Sequence, residues 1–117
     1  MTYFNRGLSK FQEIEDKQGI AKSYSNIGVI YSRQKQYEKA LEFYQLSLKI
    51  DLGLGNKNGI ADIYGNIGRV YYEQGEIQDA LIYYNKSIDV AKETGNKNEI
   101  ASSNYKIGEI YFDQNNY

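Results

Sequence analysis

The octapeptide Tyr24-Ser25-Asn26-Ile27-Gly28-Val29-Ile30-Tyr31 returns forty residues later as Tyr64-Gly65-Asn66-Ile67-Gly68-Arg69-Val70-Tyr71. It returns again, more loosely, as Asn104-Tyr105-Lys106-Ile107-Gly108-Glu109-Ile110-Tyr111. A fixed period of this length marks a repeat architecture, in which each copy is one supersecondary unit that hides its apolar face only by stacking on its neighbours. The frame needs no gaps: Gly19-Ile20-Ala21, Gly59-Ile60-Ala61 and Glu99-Ile100-Ala101 occupy equivalent places, and so do Gln34, Gln74 and Gln114. It also runs backwards, pairing Tyr3-Phe4-Asn5-Arg6 with Tyr83-Tyr84-Asn85-Lys86, and Asp16-Lys17-Gln18 with Asn56-Lys57-Asn58.

Within a unit, Ile20, Tyr24, Ile27, Gly28 and Tyr31 fall at the three- and four-residue spacing of one helix face. Ala40, Leu41, Tyr44 and Leu48, then Ala80, Leu81, Tyr84 and Ile88, repeat that spacing in the second half. Each unit is thus a helix-turn-helix. Its inner turn is Gln34-Lys35-Gln36, Gln74-Gly75-Glu76 or Gln114-Asn115-Asn116, where Gly75 and Asn115 suit a left-handed helix end better than Lys35 does. Between units, Gly55 and Gly95 can close one helix while Asn58 and Asn98 cap the next. The prediction is an all-α solenoid of six helices, roughly 2–14, 19–33, 37–53, 59–73, 77–94 and 99–114. As one domain, the chain divides into a truncated repeat (1–18, a second helix), full repeats at 19–58 and 59–98, and a first helix at 99–117.

Gly28, Gly68 and Gly108 lie in helix interiors, where glycine costs about 1 kcal/mol relative to alanine. Recurrence at one frame position calls for a steric reason: a neighbouring helix crosses too closely for a larger side chain, with Ala40 and Ala80 as the small residues opposite.

Function classes are narrowed by what the chain lacks. No His and no Cys occurs among the 117 residues, which removes thiolate nucleophiles, Cys/His zinc sites and imidazole acid-base chemistry. The expectation is a non-enzyme without cofactor or metal. A formal net charge of -1 with no basic run argues against a nucleic-acid partner. No apolar run approaches the roughly 20 residues that span a bilayer, and Met1-Thr2-Tyr3-Phe4-Asn5-Arg6 lacks the order of a signal peptide, so no membrane partner and a cytoplasmic location are expected. Gly53-Leu54-Gly55-Asn56-Lys57-Asn58-Gly59 resembles a phosphate loop only in composition; it follows a helix rather than a strand and is read as an inter-repeat turn.

Tyr24, Ile27-Gly28, Tyr31, Ala40, Tyr44 and Ser47, repeated as Tyr64, Ile67-Gly68, Tyr71, Ala80, Tyr84 and Ser87, resemble the tetratricopeptide repeat (TPR) over nearly the whole chain. The period of forty and the absence of proline are similar to the longer-helix subclass seen in kinesin light chains, G-protein signalling modulators and bacterial regulators. The third copy departs from the pattern by placing Asn104 where the aromatic belongs.

The resemblance implies a right-handed superhelix whose first helices line a concave groove. On that basis Lys22, Asn26, Val29 and Arg33, then Asn66, Arg69 and Tyr72, then Tyr105 and Lys106, become candidate peptide-binding residues. The resemblance also implies that Asn26 and Asn66 clamp a peptide main chain, a role their paired donor and acceptor suit; the plainer alternative is that both amides are solvated or bonded within the bundle. Lys106 stands at the third such position and better suits a carboxylate. Charge along the groove is expected to run from Lys22, Arg33 and Arg69 to Glu73, Glu109 and Asp113.

Two functions compete. One is an interaction scaffold holding a peptide or helix of a partner protein in the groove. The other is a self-assembly module: Met1 enters partway through a second-helix frame and Tyr117 stops where the next begins, so a fragment of a longer array with head-to-tail or domain-swapped association is expected.

Overall fold

The computed structural model describes the backbone of residues 2–115 and the side chains of residues 13–115. Five helices follow one another: α1 (Thr2–Arg33), α2 (Tyr37–Leu54), α3 (Lys57–Glu73), α4 (Ile77–Thr94) and α5 (Lys97–Asn115). They stack in sequence order into an elongated body of 68 × 31 × 17 Å, the α-solenoid that the repeat predicts.

The sixth helix is absent because no break occurs between residues 14 and 19, and α1 runs through 32 residues. The forty-residue frame explains it. Gly55 and Gly95 end α2 and α4 with φ of 66° and 71°, a left-handed turn that L-residues with a Cβ avoid. Glu15 holds the equivalent position, so nothing stops the helix there. One consequence is that Ile20 is 47% exposed, while its counterpart Ile60 is 6% exposed and belongs to the core. Residues 2–18 therefore run on into α1 and are not the separate helix expected of a truncated repeat.

The caps also lie two residues earlier than expected. The Asn56 and Asn96 side chains, rather than those of Asn58 and Asn98, accept hydrogen bonds from the Gly59 and Glu99 amides at 3.3 and 3.2 Å. Each asparagine directly follows the left-handed glycine, which puts its oxygen over the first exposed amides. Inside the repeats, Lys35 adopts the left-handed conformation at φ 63° that Gly75 adopts at 81°, so the turn geometry is imposed by the helices on either side.

Two glycines make the expected close crossings, but against tyrosines rather than alanines. A Cβ on Gly28 would sit 2.6 Å from Tyr44 Cε1, and one on Gly68 would sit 3.1 Å from the Tyr84 ring; on Gly108 it would meet nothing. The core falls into two clusters, Ala40, Tyr44, Leu48, Ile60, Ile63, Ile67 and Val70 in one and Ala80, Tyr84 and Ile110 in the other, with the partly buried Tyr71 packed against both. Tyr31 stacks on Phe43, and Tyr71 on Tyr83, each at 5.5 Å between ring centroids. Tyr111, next in the frame, is 53% exposed.

Serine at the small position of each second helix ties the units together. The Ser47 and Ser87 hydroxyls are buried and donate to the Ala21 and Ala61 carbonyls, each at 2.7 Å. Burial of Ser87 also places the formal sequon Asn85-Lys86-Ser87 within packed helix.

Candidate functional site

The odd-numbered helices share a face that carries several cavities. The first, about 610 Å³, is bordered by Lys22, Ser25 and Asn26 of α1, Asp51 of α2, Asp62 of α3 and Glu99 of α5. A second, about 140 Å³, lies beside it and shares Asp62 and Glu99, adding Asn66, Arg69, Tyr84 and Lys106. A third, about 40 Å³, joins Val29, Arg33 and Tyr44 to Asn66, Arg69 and Glu73. Tyr72 and Tyr105 border a fourth, about 600 Å³, with Gly108 and Phe112.

The nine groove candidates therefore all line cavities, though not one common cavity. Asn26 and Lys22 fall together, Asn66 groups with Arg69 and Lys106, and Val29 and Arg33 reach Asn66 from the α1 side. Among the described residues, neither the Asn26 nor the Asn66 side chain has a hydrogen-bond partner. Tyr72 differs, since its hydroxyl donates to Asp113 Oδ2 at 2.7 Å. Tyr105 is 67% exposed.

The expected charge gradient is largely cancelled within single helices. Arg69 pairs with Glu73 at 3.2 Å, and Lys106 with Glu109 at 3.6 Å, one helical turn apart. What remains concentrated is negative: Asp51, Asp62 and Glu99 converge on the first cavity, and Lys22 is the cation among its lining residues.

Asp51 and Glu99 were not candidates from sequence. Asp51 falls in the second-helix frame, where the other unit has Ala91, and Glu99 stands where Gly19 and Gly59 stand. Those two departures from the repeat were the available signal. Asp51 is only 4% exposed and accepts a 3.3 Å hydrogen bond from Asn56. Glu99 Oε1 lies 3.1 Å from the Ser87 hydroxyl, whose one proton is shared between this carboxyl and the closer Ala61 carbonyl; a Cβ on Gly65 would lie 2.9 Å from the same Oε1, so glycine there leaves room for the carboxyl group.

Desolvation raises all three carboxylates above their ordinary pKa. The Asn56 hydrogen bond opposes the shift at Asp51 and the Ser87 bond opposes it at Glu99, while repulsion from Asp62 adds to both. Asp62 itself is raised by desolvation even though the residue is exposed to solvent. Burial likewise pushes Tyr44 up to about 12 and raises Tyr84.

A stability consequence follows with a definite sign. A carboxyl whose folded pKa exceeds its unfolded value keeps its proton longer in the folded state. Stability therefore increases as pH falls through the raised values and levels off below the ordinary carboxylate range, about 4. The melting temperature should rise when the chain is taken from neutral pH toward about pH 5, and Asp62→Asn with Glu99→Gln should flatten that slope. A steeper fall in stability on acidification would contradict the assignment.

Comparison with known proteins agrees with this architecture. The tetratricopeptide repeat family model matches residues 2–53, 19–93 and 59–117. Among 33 matching chains of solved structure is BtubC (BKLC) from P. vanneervenii, with a TM-score of 0.70 and 24% identity. That likeness covers 80% of this chain and 39% of the other, so the chain spans under half the length of that protein, and it bears on the fold alone. No curated protein matches. Helix pairs on a forty-residue period, with tyrosines crossing two of the repeat glycines, place the chain in the tetratricopeptide repeat family.

Proposed function

We propose that the chain is a protein-interaction scaffold that holds a peptide segment or helix of a partner on the face of α1, α3 and α5, with Asn26 and Asn66 bonding its main chain. Tetratricopeptide repeats generally mediate protein–protein interaction. The observation that carries the finer reading is the pair of asparagine amides, forty residues apart on successive first helices, both lining cavities and both without a partner among the described residues. Each offers a donor and an acceptor, the complement of a peptide group.

Asn26→Ala with Asn66→Ala should reduce capture of partners from an extract of the source organism by at least about tenfold, since two hydrogen-bonding residues of about 1 kcal/mol or more each are lost. The far-UV circular dichroism should not change. Capture that survives the double change would show that the clamp is misassigned.

A second reading, self-association, is favoured by one observation. Among the described residues, Gly108 has open space where Gly28 and Gly68 meet tyrosine rings, and Tyr111 lacks the stacking partner that Tyr31 and Tyr71 have. The α5 face is thus shaped for a further second helix, and Tyr3-Phe4 stand in the frame of Phe43-Tyr44. Light scattering should show mass rising above the monomer with concentration and returning to the monomer in Tyr111→Glu. A constant monomer mass to millimolar protein would remove this reading.

A further inference from the structure

One face of α1 is uncovered where the equivalent faces of α3 and α5 are packed. Ile20 and Ile30 are 47% and 54% exposed and Ile27 is half-buried, whereas Ile60, Ile67 and Val70 on α3 are buried, as is Ile110 on α5. In both later units the cover comes from the preceding second helix: Tyr44 and Leu48 of α2 cluster with Ile60, Ile67 and Val70, and Ala80 and Tyr84 of α4 with Ile110. The segment ahead of the α1 isoleucines carries the same pattern on the forty-residue frame, with Phe4 standing where Tyr44 stands and Leu8 where Leu48 stands. As one unbroken helix, α1 carries that segment along its own axis, away from the face it matches.

The apolar pattern of α1 also changes phase between its halves. At about 100° per residue, positions 4, 8 and 11 are centred about 120° around the helix axis from positions 20, 27 and 30. No single neighbour lying along a straight helix covers both sets, but a hairpin lets each set cover the other. The turn that a hairpin needs has a precedent within the chain. Lys35 adopts the left-handed conformation that Gly75 holds at the equivalent position, so a Cβ does not forbid such a turn between packed helices. Glu15 is the counterpart of the left-handed Gly55 and Gly95, and Asp16 follows it at the place of the capping Asn56 and Asn96, where aspartate serves as well as asparagine.

We propose that α1 is a two-state element: besides forming the continuous helix, the chain turns at Glu15 and Asp16, and residues 2–14 fold back as a strap over Ile20, Ile27 and Ile30. Glycine at 55 and 95 favours the equivalent turns and weakens a helix that would run through them. Glutamate at 15 reverses both preferences, and burial of the isoleucine face opposes that reversal, which leaves the two forms close in free energy. The closed form hides the isoleucines and completes the packing at the α1 end of the solenoid; the open form presents them. This device is independent of the proposed groove, whose cavities lie between α1 and the helices that follow it.

The chain has no cysteine, so Thr2→Cys with Arg33→Cys places two spin labels uniquely, and double electron–electron resonance on the full chain reads the distance between them. A continuous helix from Thr2 to Arg33 holds the labels about 46 Å apart. The folded strap, with helix axes about 8–10 Å apart, brings them within about 25 Å. Both distances are expected in the parent chain. Glu15→Gly should raise the ratio of short to long at least about fivefold, because glycine eases the left-handed turn and weakens the helix. Ile30→Glu should lower that ratio at least about fivefold by placing a charge under the strap. Dilution with an excess of about tenfold of unlabelled chain identifies the source of the short distance. If it persists, the strap lies within one chain; if it vanishes, residues 2–14 of a second copy cover the face and the turn at Glu15 is overturned. A parent distribution confined to either distance alone removes the two-state element, as does a short distance that neither substitution moves.

Discussion

Replacing Gly28 by alanine is expected to destabilise the chain by about 1–2 kcal/mol, while the same change at Gly108 stabilises it by about 1 kcal/mol. In an isolated helix both substitutions would help, because alanine is the better helix former by about 1 kcal/mol. At Gly28 the new methyl would stand 2.6 and 2.8 Å from two carbons of the Tyr44 ring. That ring is 2% exposed and cannot swing away, so either the ring or the α1–α2 crossing must shift. Overpacking of this kind costs about 1–3 kcal/mol and outweighs the propensity gain. Gly68→Ala should fall between the two, with its closest contacts at 3.1 Å to an equally enclosed Tyr84. At Gly108 no atom lies within 4 Å and propensity alone decides. Urea midpoints of the three variants measure the order directly. A Gly108→Ala variant less stable than the parent would show that the α5 face is covered in solution, which is the outcome that self-association produces.

Ile67→Ala should be the more damaging change, at about 2–5 kcal/mol, whereas alanine at Ile27 or Ile107 should cost about half as much. The three occupy one frame position, but their neighbours differ. Ile67 is completely buried in the core that joins α2 to α3, while Ile27 and Ile107 are only half-buried. In a solenoid, stability is close to a sum over neighbouring interfaces, so a central position loses contacts on two sides and a peripheral one on a single side. Urea unfolding again gives the comparison. Equal losses at all three positions would mean that the outer repeats are packed as tightly as the central one.

Much of this fold was legible because the chain repeats itself. The spacing of Tyr24, Ile27, Gly28 and Tyr31 gave the helix face, and the glycines at 55, 75 and 95 gave the turns that the structure contains. The missed boundary at residues 15–18 was readable from a single substitution, glutamate where the other units have the left-handed glycine, but periodicity of the apolar positions does not register it. The caps were misplaced by two residues because Asn56 and Asn58 are equally good capping side chains, and only the direction in which Gly55 turns the chain decides which oxygen meets the free amides.

The groove candidates were legible as leftovers, polar residues on helix faces not claimed by packing. Their grouping was not. Arg69 and Lys106 read as free cations until their partners one turn on, Glu73 and Glu109, come within 3.2 and 3.6 Å. Asp51 and Glu99 are 48 residues apart in the chain and at different positions of the repeat, and nothing local brings them together; the stacking of α2, α3 and α5 does.

By itself the sequence determined the helix-turn-helix unit of the two full repeats and its order along the chain, because those follow from spacing and from the frame of forty. Tertiary structure alone decided which of three identical glycines is crowded and which carboxylates share a cavity. Those properties depend on what lies across an interface, and a repeat writes the same residue at each position whether or not a neighbour arrives to meet it.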